Sequence, residues 1–250
     1  MSSPWDLYDE LLAAIPEDLL IEDCLIGVHW VLVRSVGVGM AMSPSEGRRH
    51  SLGEVRGRPV REIAQAAKSW NFLEAAVGMA ALNSWHNAPA VLERTFLLGE
   101  STCDGKGALE DLAGRAGGRK VAVIGHFPGV EALSERCELS VLERRPSPGD
   151  FPDPACEYLL PHQDAVLATG TTLMNKTLPR LLELSRKAEF VLTGPTTTLS
   201  PTLFAHGVDL LAGTMVTDVP TIWRHVAEGG DRSVFRNGAR MVRLSREDVA

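Results

Sequence analysis

The sequence predicts an α/β protein in two parts: an N-terminal α+β part with a small antiparallel sheet, and a C-terminal part on a parallel sheet with helices on both faces. Three observations lead there. The run Lys120-Val-Ala-Val-Ile124 is apolar and β-branched and breaks into Gly125 and Gly129, as a buried parallel strand does where it meets a ligand-facing loop. Leu139 to Glu143, Ala165 to Gly170 and Phe190 to Gly194 repeat the pattern, each leading into a helix-like segment. Ile26 to Arg34 and Val36 to Ala41, by contrast, are separated by a gap too short for a crossover, so they are read as antiparallel neighbours. In an open parallel sheet the crevice beyond the carboxyl ends of the strands is the usual binding place.

Taken in order, Ser3-Pro4 opens a helix, with Ser as N-cap and Pro at the first helical position. Trp5, Tyr8, Leu12 and Ile15 share its face, and Pro16 ends it. Leu20 to Met42 is strand-like, and the polar stretch Ser43 to Gly57 reads as a loop. After Pro59, Val60, Ile63, Ala64 and Ala67 fall on one helical face. Asn71 with Glu74 three residues on has the form of a capping box, opening a helix whose stripe of Phe72, Ala75, Ala76, Met79 and Ala80 suits close packing. Its polar end, Asn83, Trp85, His86 and Asn87, either faces a cleft or caps the helix. The glycine-rich stretch Ser101 to Arg119 is read as a boundary between domains 1–105 and 106–250. Beyond it come a short helix through Leu133, a proline-rich loop Arg144 to Pro154, a helix from Asp153-Pro154 to Leu160, and a helix on Leu178, Leu181, Leu182 and Ser185. Ser200-Pro201 starts another, followed by a strand at Leu210 to Gly213, a helix from Thr221 closed by Gly229-Gly230, and a last strand at Arg240 to Leu244.

At 250 residues and 44% hydrophobic the chain can bury a real core, and its net charge of -7 argues against a general nucleic-acid binder. Arg48-Arg49 reads as part of a solvated loop. No apolar run approaches the roughly 20 residues that span a bilayer, and Met1 to Asp6 has no basic-then-apolar leader. A cytoplasmic location without membrane contact is expected. Cys24, Cys103, Cys137 and Cys156 form no C-x-x-C pair, so reduced thiols are the expectation.

Two hydroxyl-rich turns, Thr169 to Thr172 and Thr196 to Thr198, lie where a strand passes into a helix; they either hold an anion, with Lys176 adding charge to the first, or cap helices. Gly125-His126-Phe127-Pro128-Gly129 lacks G-x-G-x-x-G spacing, which speaks against a standard NAD site. Glu143 ends the next strand where an acid often takes a ribose hydroxyl, with Arg144-Arg145 beside it. His126, on a loop beside the crevice, has the chemistry of a base, an acid or a metal ligand, or else braces its loop. The other histidines singled out, His29, His86, His162, His206 and His225, are isolated and read as structural or exposed. No H-x-H, H-E-x-x-H, G-x-S-x-G or P-loop spacing occurs. Trp30, Trp70 and Trp85 are expected in the core or at a domain interface.

A wider set of motifs, Trp5-Asp-Leu-Tyr-Asp with Ile15-Pro16, Lys68-Ser-Trp-Asn-Phe, Ala80-Ala-Leu-Asn-Ser-Trp, Gly125-His-Phe-Pro-Gly, Val141-Leu-Glu-Arg, Asp150-Phe-Pro-Asp-Pro-Ala, Thr169-Gly-Thr-Thr-Leu-Met-Asn-Lys-Thr-Leu and Gly194-Pro-Thr-Thr, resembles the putative heavy-metal-chelation domain family. The resemblance runs from Trp5 to about Gly230. It implies an N-terminal domain similar to that of enolase, a Rossmann-like domain after it, and a cleft between them. The candidate site is then Gly125, His126, Phe127, Pro128, Gly129, Glu143, Thr169, Gly170, Thr171, Thr172, Asn175, Lys176, Gly194, Pro195, Thr196 and Thr197, with His126 as the catalytic candidate.

The function expected is binding of a small molecule or metal chelate in the interdomain cleft, in heavy-metal chelation or chelator biosynthesis, with a transition metal or metal chelate as the bound group. The alternatives are a transferase or oxidoreductase with a nucleotide-type cofactor, and a non-catalytic metabolite carrier. A small molecule is the expected partner, and self-association into a homo-oligomer is left open.

Overall fold

The computed structural model describes residues 3–44, 51–99, 102, 107–231 and 233–250. Cys103 and the Arg48-Arg49 pair lie outside them. The first helix, α1 (Asp6–Ala13), starts later than Ser3-Pro4 implies. The Ser3 hydroxyl accepts the Trp5 amide at 3.2 Å and the Ser3 amide donates to the Asp6 carboxylate at 2.7 Å, so the two ends close a turn rather than a cap. A three-stranded antiparallel sheet follows, β1 (Asp23–Ile26), β2 (Trp30–Arg34) and β3 (Val38–Met42). The long expected run from Ile26 to Arg34 is broken into two strands at Gly27. There the chain turns, the Gly27 amide bonding the Trp30 carbonyl at 2.9 Å, and a Cβ at Gly27 would lie 2.6 Å from Val226 Cγ1.

Helices α2 (Val60–Ala64) and α3 (Phe72–His86) cover one face of that sheet, joined by a 3-10 turn, Gln65–Lys68. Asn71 caps α3, accepting from the amides of Leu73 at 3.0 Å and Glu74 at 3.5 Å. The small-residue stripe does pack backbone against backbone: a Cβ at Gly78 would stand 2.1 Å from Ala67 N, and one at Gly39 2.0 Å from the Ala80 carbonyl. Helix α4 (Pro89–Thr95) ends the N-terminal part, and the stretch read as a boundary holds a helix, α5 (Ala108–Arg115), that buries Ala108 and Leu112.

The C-terminal part is a seven-stranded sheet in the order β10-β9-β8-β7-β4-β5-β6. Its strands are β4 (Lys120–Ile124), β5 (Glu138–Glu143), β6 (Phe151–Pro152), β7 (Ala165–Thr169), β8 (Glu189–Thr193), β9 (Leu210–Val216) and β10 (Ala239–Ser245). Between them lie α6 (Cys156–Leu159), α7 (Thr171–Met174), α8 (Leu178–Leu184), α9 (Pro201–Ala205) and α10 (Val219–Ala227). All pairs are parallel except β9 with β10, because the chain returns from α10 through a turn beside β9 instead of a crossover. β4 lies between β5 and β7, so the winding direction reverses beside it, and the carboxyl ends of β4 and β7 form the switch point at which sheets of this kind usually bind ligands.

The two parts share one core. A single buried cluster runs from Tyr8, Leu11 and Met79 to Leu173, Leu178 and Phe190, and the Tyr8 hydroxyl donates to the Leu173 carbonyl at 2.7 Å. A second cluster fills the other face of the parallel sheet under α5, with Val121, Val123 and Leu133. A third joins Trp30, Leu32 and Met40 of the small sheet to Ile222 and Val226 of α10.

Candidate functional site

At the carboxyl edge the chain closes a ring of contacts. Gly125 sits at φ 99, and a Cβ there would meet Thr169 Cγ2 at 3.1 Å, so the β4 and β7 loops touch only because residue 125 is glycine. The Thr171 hydroxyl donates to that of Thr169 at 3.1 Å, and α7 carries the chain on to Lys176. The Lys176 ammonium lies 5.8 Å from the Phe72 ring centroid and 5.5 Å from that of Trp70, both just before or at the start of α3. The Arg144 guanidinium also lies over Phe72, 5.1 Å from the ring centroid, and pairs with the Asp153 carboxylate at 3.6 Å. Arg144 follows Glu143, whose carboxylate accepts the His126 amide at 3.1 Å and so returns the ring to its start.

Each half of this ring has its own electrostatics. Lys176 holds its ammonium against the carbonyls of Ser69 and Met174, pairs with no carboxylate among the described residues, and is pushed by burial down to about 8. It is also the one residue other than glycine at positive φ among those described, at 67°, a conformation a side chain adopts only under constraint. The opposite half is acidic. His126 Nε2 lies 2.9 Å from Glu131 and Nδ1 3.3 Å from Asp150, and the hydrogen bonds to Glu131 and then Asp150 raise its pKa above the ordinary value. Two carboxylates only accept, so both ring nitrogens donate and this geometry is that of an imidazolium.

The expected residues thus divide. Gly125, His126, Pro128, Gly129, Glu143, Thr169, Thr171, Asn175, Lys176, Gly194 and Pro195 reach solvent at least partly. Phe127 packs against the cluster under α5. Gly170, Thr172, Thr196 and Thr197 are buried. Thr196 Oγ1 accepts the Met42 amide at 3.0 Å, and Thr196 to Leu199 is held by α3: Asn83 donates to the Thr196 carbonyl at 3.1 Å, and Asn87 to that of Thr197 at 2.9 Å. The polar helix end therefore braces the two parts against each other instead of facing an open cleft. Glu143 has both oxygens engaged by backbone amides, those of His126, Arg144 and Arg145, which leaves the ribose reading without a free carboxylate. Lys176 turns to Ser69, away from the Thr169 turn it was expected to serve.

Trp70, expected in the core or at a domain interface, is 73% exposed and lies against Lys176 of the C-terminal part, while Trp30 is buried in the core. Sequence reasoning also missed Glu131 and Asp150; the second, five residues beyond Arg145 in a proline-rich loop, had no local signal for its reach to His126. The Lys68-Ser-Trp-Asn-Phe motif is the signal in the sequence that places Trp70 and Phe72 together.

Residues 108–245 match the family DUF364 and residues 8–86 the family DUF4213, both described as putative heavy-metal chelation. The chain belongs to that family. An uncharacterized protein of Methanocaldococcus jannaschii is 31% identical over 249 residues, covering 92% of each chain. A crystal structure of a DUF364 protein of unknown function from Desulfitobacterium hafniense has a TM-score of 0.89 at 37% identity, covering 96% of this chain and 98% of that one. Another from Pyrococcus horikoshii has a TM-score of 0.78 at 24% identity over the same shares, which extends the likeness in fold.

The side chains present offer little to the metal in the family's description. Among the described residues no group of three or more His, Cys, Asp or Glu converges as a metal site. Burial holds the thiols of Cys24 and Cys156 up to about 11, far from the thiolate a soft metal takes. His126 spends both nitrogens on different carboxylates. These residues do not fit a resident metal ion. No described helix is long and apolar enough to cross a membrane.

Proposed function

We propose that the chain binds a small anionic metal chelate at the carboxyl edge of the parallel sheet, in the crevice between its two parts, and serves the handling of chelated metal. The observation that supports this reading is the polarity of the ring. Lys176 and Arg144, spaced by Phe72 and Trp70, suit the carboxylates and apolar body of an organic chelator. His126, Glu131 and Asp150 across the ring suit the cationic side of the complex, a metal whose other positions the chelator fills. A bare ion would find too few donors, and a bare anion would meet the carboxylates.

Nickel citrate is a direct probe. Isothermal titration is expected to show one-to-one binding of nickel citrate, and weaker binding of either free nickel or metal-free citrate. Stoichiometric, submicromolar binding of free nickel would overturn the reading. Native mass spectrometry with elemental analysis of freshly isolated protein should show metal only together with an organic mass.

A further inference from the structure

We propose a second ligand site, at the opposite end of the same sheet, for a multiply charged anion on a small organic body. A surface cleft of about 700 Å³ opens there, between the first residues of the chain, the end of α8 and the entries of β8 and β9; that volume lies within the range of small-molecule pockets. Pro4, Leu7 and Leu182 supply apolar wall. The rim carries Arg186, Lys187 and Arg246.

The charges of the lining decide the class of ligand. Its carboxylates are already committed: Glu189 to Arg119 at 3.0 Å and to Arg115, Glu183 to Arg180 at 2.8 Å, and Asp209 to the Phe190 amide at 2.8 Å. His206 is matched by Glu10 at 2.9 Å. Arg186, Lys187 and Arg246 have no carboxylate partner among the described residues. Cations just past a helix end are ordinary, because they complement its carbonyls, and this accounts for Arg186 and Lys187. It does not account for Arg246, which comes from beyond β10.

A second observation is independent of charge. Ser185 lines the cleft, is 3% exposed, and its hydroxyl has no hydrogen-bond partner among the described residues. Buried hydroxyls are seldom left so, and an acceptor oxygen on a ligand would complete this one. Three unpaired cations, one unpaired hydroxyl and an apolar wall describe an organic phosphate or polycarboxylate. This site does not rest on the reading of the carboxyl edge, and it shares no residue with it.

The test is titration of the whole protein at low salt with three probes: pyrophosphate for charge alone, adenosine monophosphate for a phosphate on a flat body, and citrate for carboxylates. Saturable binding of at least one probe at one site is expected. The Lys187→Gln, Arg246→Gln double variant should weaken it by at least about tenfold, and Ser185→Ala by a smaller factor. All three side chains are dispensable for packing, so melting temperature should hold. Phosphate-selective or carboxylate-selective binding tells the two sources apart. No saturable binding of any probe, binding indifferent to the double variant, or binding abolished by Lys176→Ala instead would each overturn the proposal.

Discussion

Thr169 to Thr172 and Thr196 to Thr198 leave neighbouring strands of one sheet with nearly the same residue types, yet the first turn keeps Thr169 and Thr171 partly open while the second is sealed, with Thr197 and Thr198 fully buried. The difference lies in what packs above them. Over the second turn stands the end of α3, whose Asn83 and Asn87 complete the loop's backbone hydrogen bonds. Near the first stands the start of α3, where Trp70 and Phe72 lie against the Lys176 ammonium and no side chain of α3 completes the turn's hydrogen bonds among the described residues. One helix thus seals one turn with its end and leaves the other open at its beginning. A threonine-rich strand end becomes a brace or a site according to its neighbour from the other half of the chain.

The sealed turn should be the costlier to disturb. Asn87 donates to the carbonyls of Thr197 at 2.9 Å and Thr214 at 3.1 Å and accepts the Leu199 amide at 2.8 Å, all buried. Asn87→Ala strands three groups, each costing about 1–3 kcal/mol, so a loss of at least about 3 kcal/mol is expected in urea unfolding. A loss below about 1 kcal/mol would mean that water replaces the amide and that the seal is not what separates the turns.

Acid separates α3 from the open edge through one histidine in each, His86 at the helix end and His126 on the loop after β4. His86, 4% exposed, sits within 2.9 Å of the Leu11 carbonyl, and burial pushes its pKa down to about 4. The unfolded chain takes up that proton near pH 6.5 while the folded one resists, so stability is fully present above that pH and falls as pH drops toward 4. The total is on the order of 3 kcal/mol. His126, exposed and flanked by carboxylates, shifts the other way. Imidazole NMR titration should therefore show His126 protonating before His86 as pH falls. A His86 that titrates near its ordinary value would place water in the helix interface.

Gly170, within the first turn, presses on the second: a Cβ there would lie 2.5 Å from both the amide nitrogen and the hydroxyl of Thr197. Gly170→Ala should cost about 1–3 kcal/mol, the range for overpacking, and lower the melting temperature without touching the ring of the open turn. If binding of nickel citrate also fails while the fold holds, the two turns are one unit and the contrast between them is weaker than their burial implies.

What the sequence made legible was the part governed by local pattern. The apolar runs ending in small or polar residues located β4, β5, β7 and β8 to within a residue, because a strand buried on both faces has little choice of composition. Asn71 announced α3 because its side chain meets its own helix. The reversed direction of β10, the exposure of Trp70 and the partners of His126 were not legible: each depends on a segment far away in the chain. His126 was found as a site residue from its loop, but its role depends on Glu131 and Asp150, and only folding brings Asp150 to it.

The smallest effect on stability, and the sharpest on binding, is expected at Lys176. Its ammonium is half-buried and lacks a carboxylate, so the desolvation that lowers its pKa offsets the hydrogen bonds to Ser69 and Met174. Lys176→Ala should therefore leave stability within about 1 kcal/mol of the parent and weaken nickel citrate by about tenfold or more, the loss of one charge-assisted contact. The pH dependence then assigns the other half of the ring. If His126 must give up its proton to reach the chelated metal, binding should rise as pH climbs through its raised pKa; if the imidazolium merely braces the loop, binding should be flat there and His126→Asn should bind like the parent. The two variants act on opposite sides of one crevice, so a double-mutant cycle with nickel citrate and metal-free citrate separates them: Lys176→Ala should weaken both probes, and His126→Asn only the one that carries nickel. Equal losses for both probes at His126 would show that it sees the chelator's charge and not its metal.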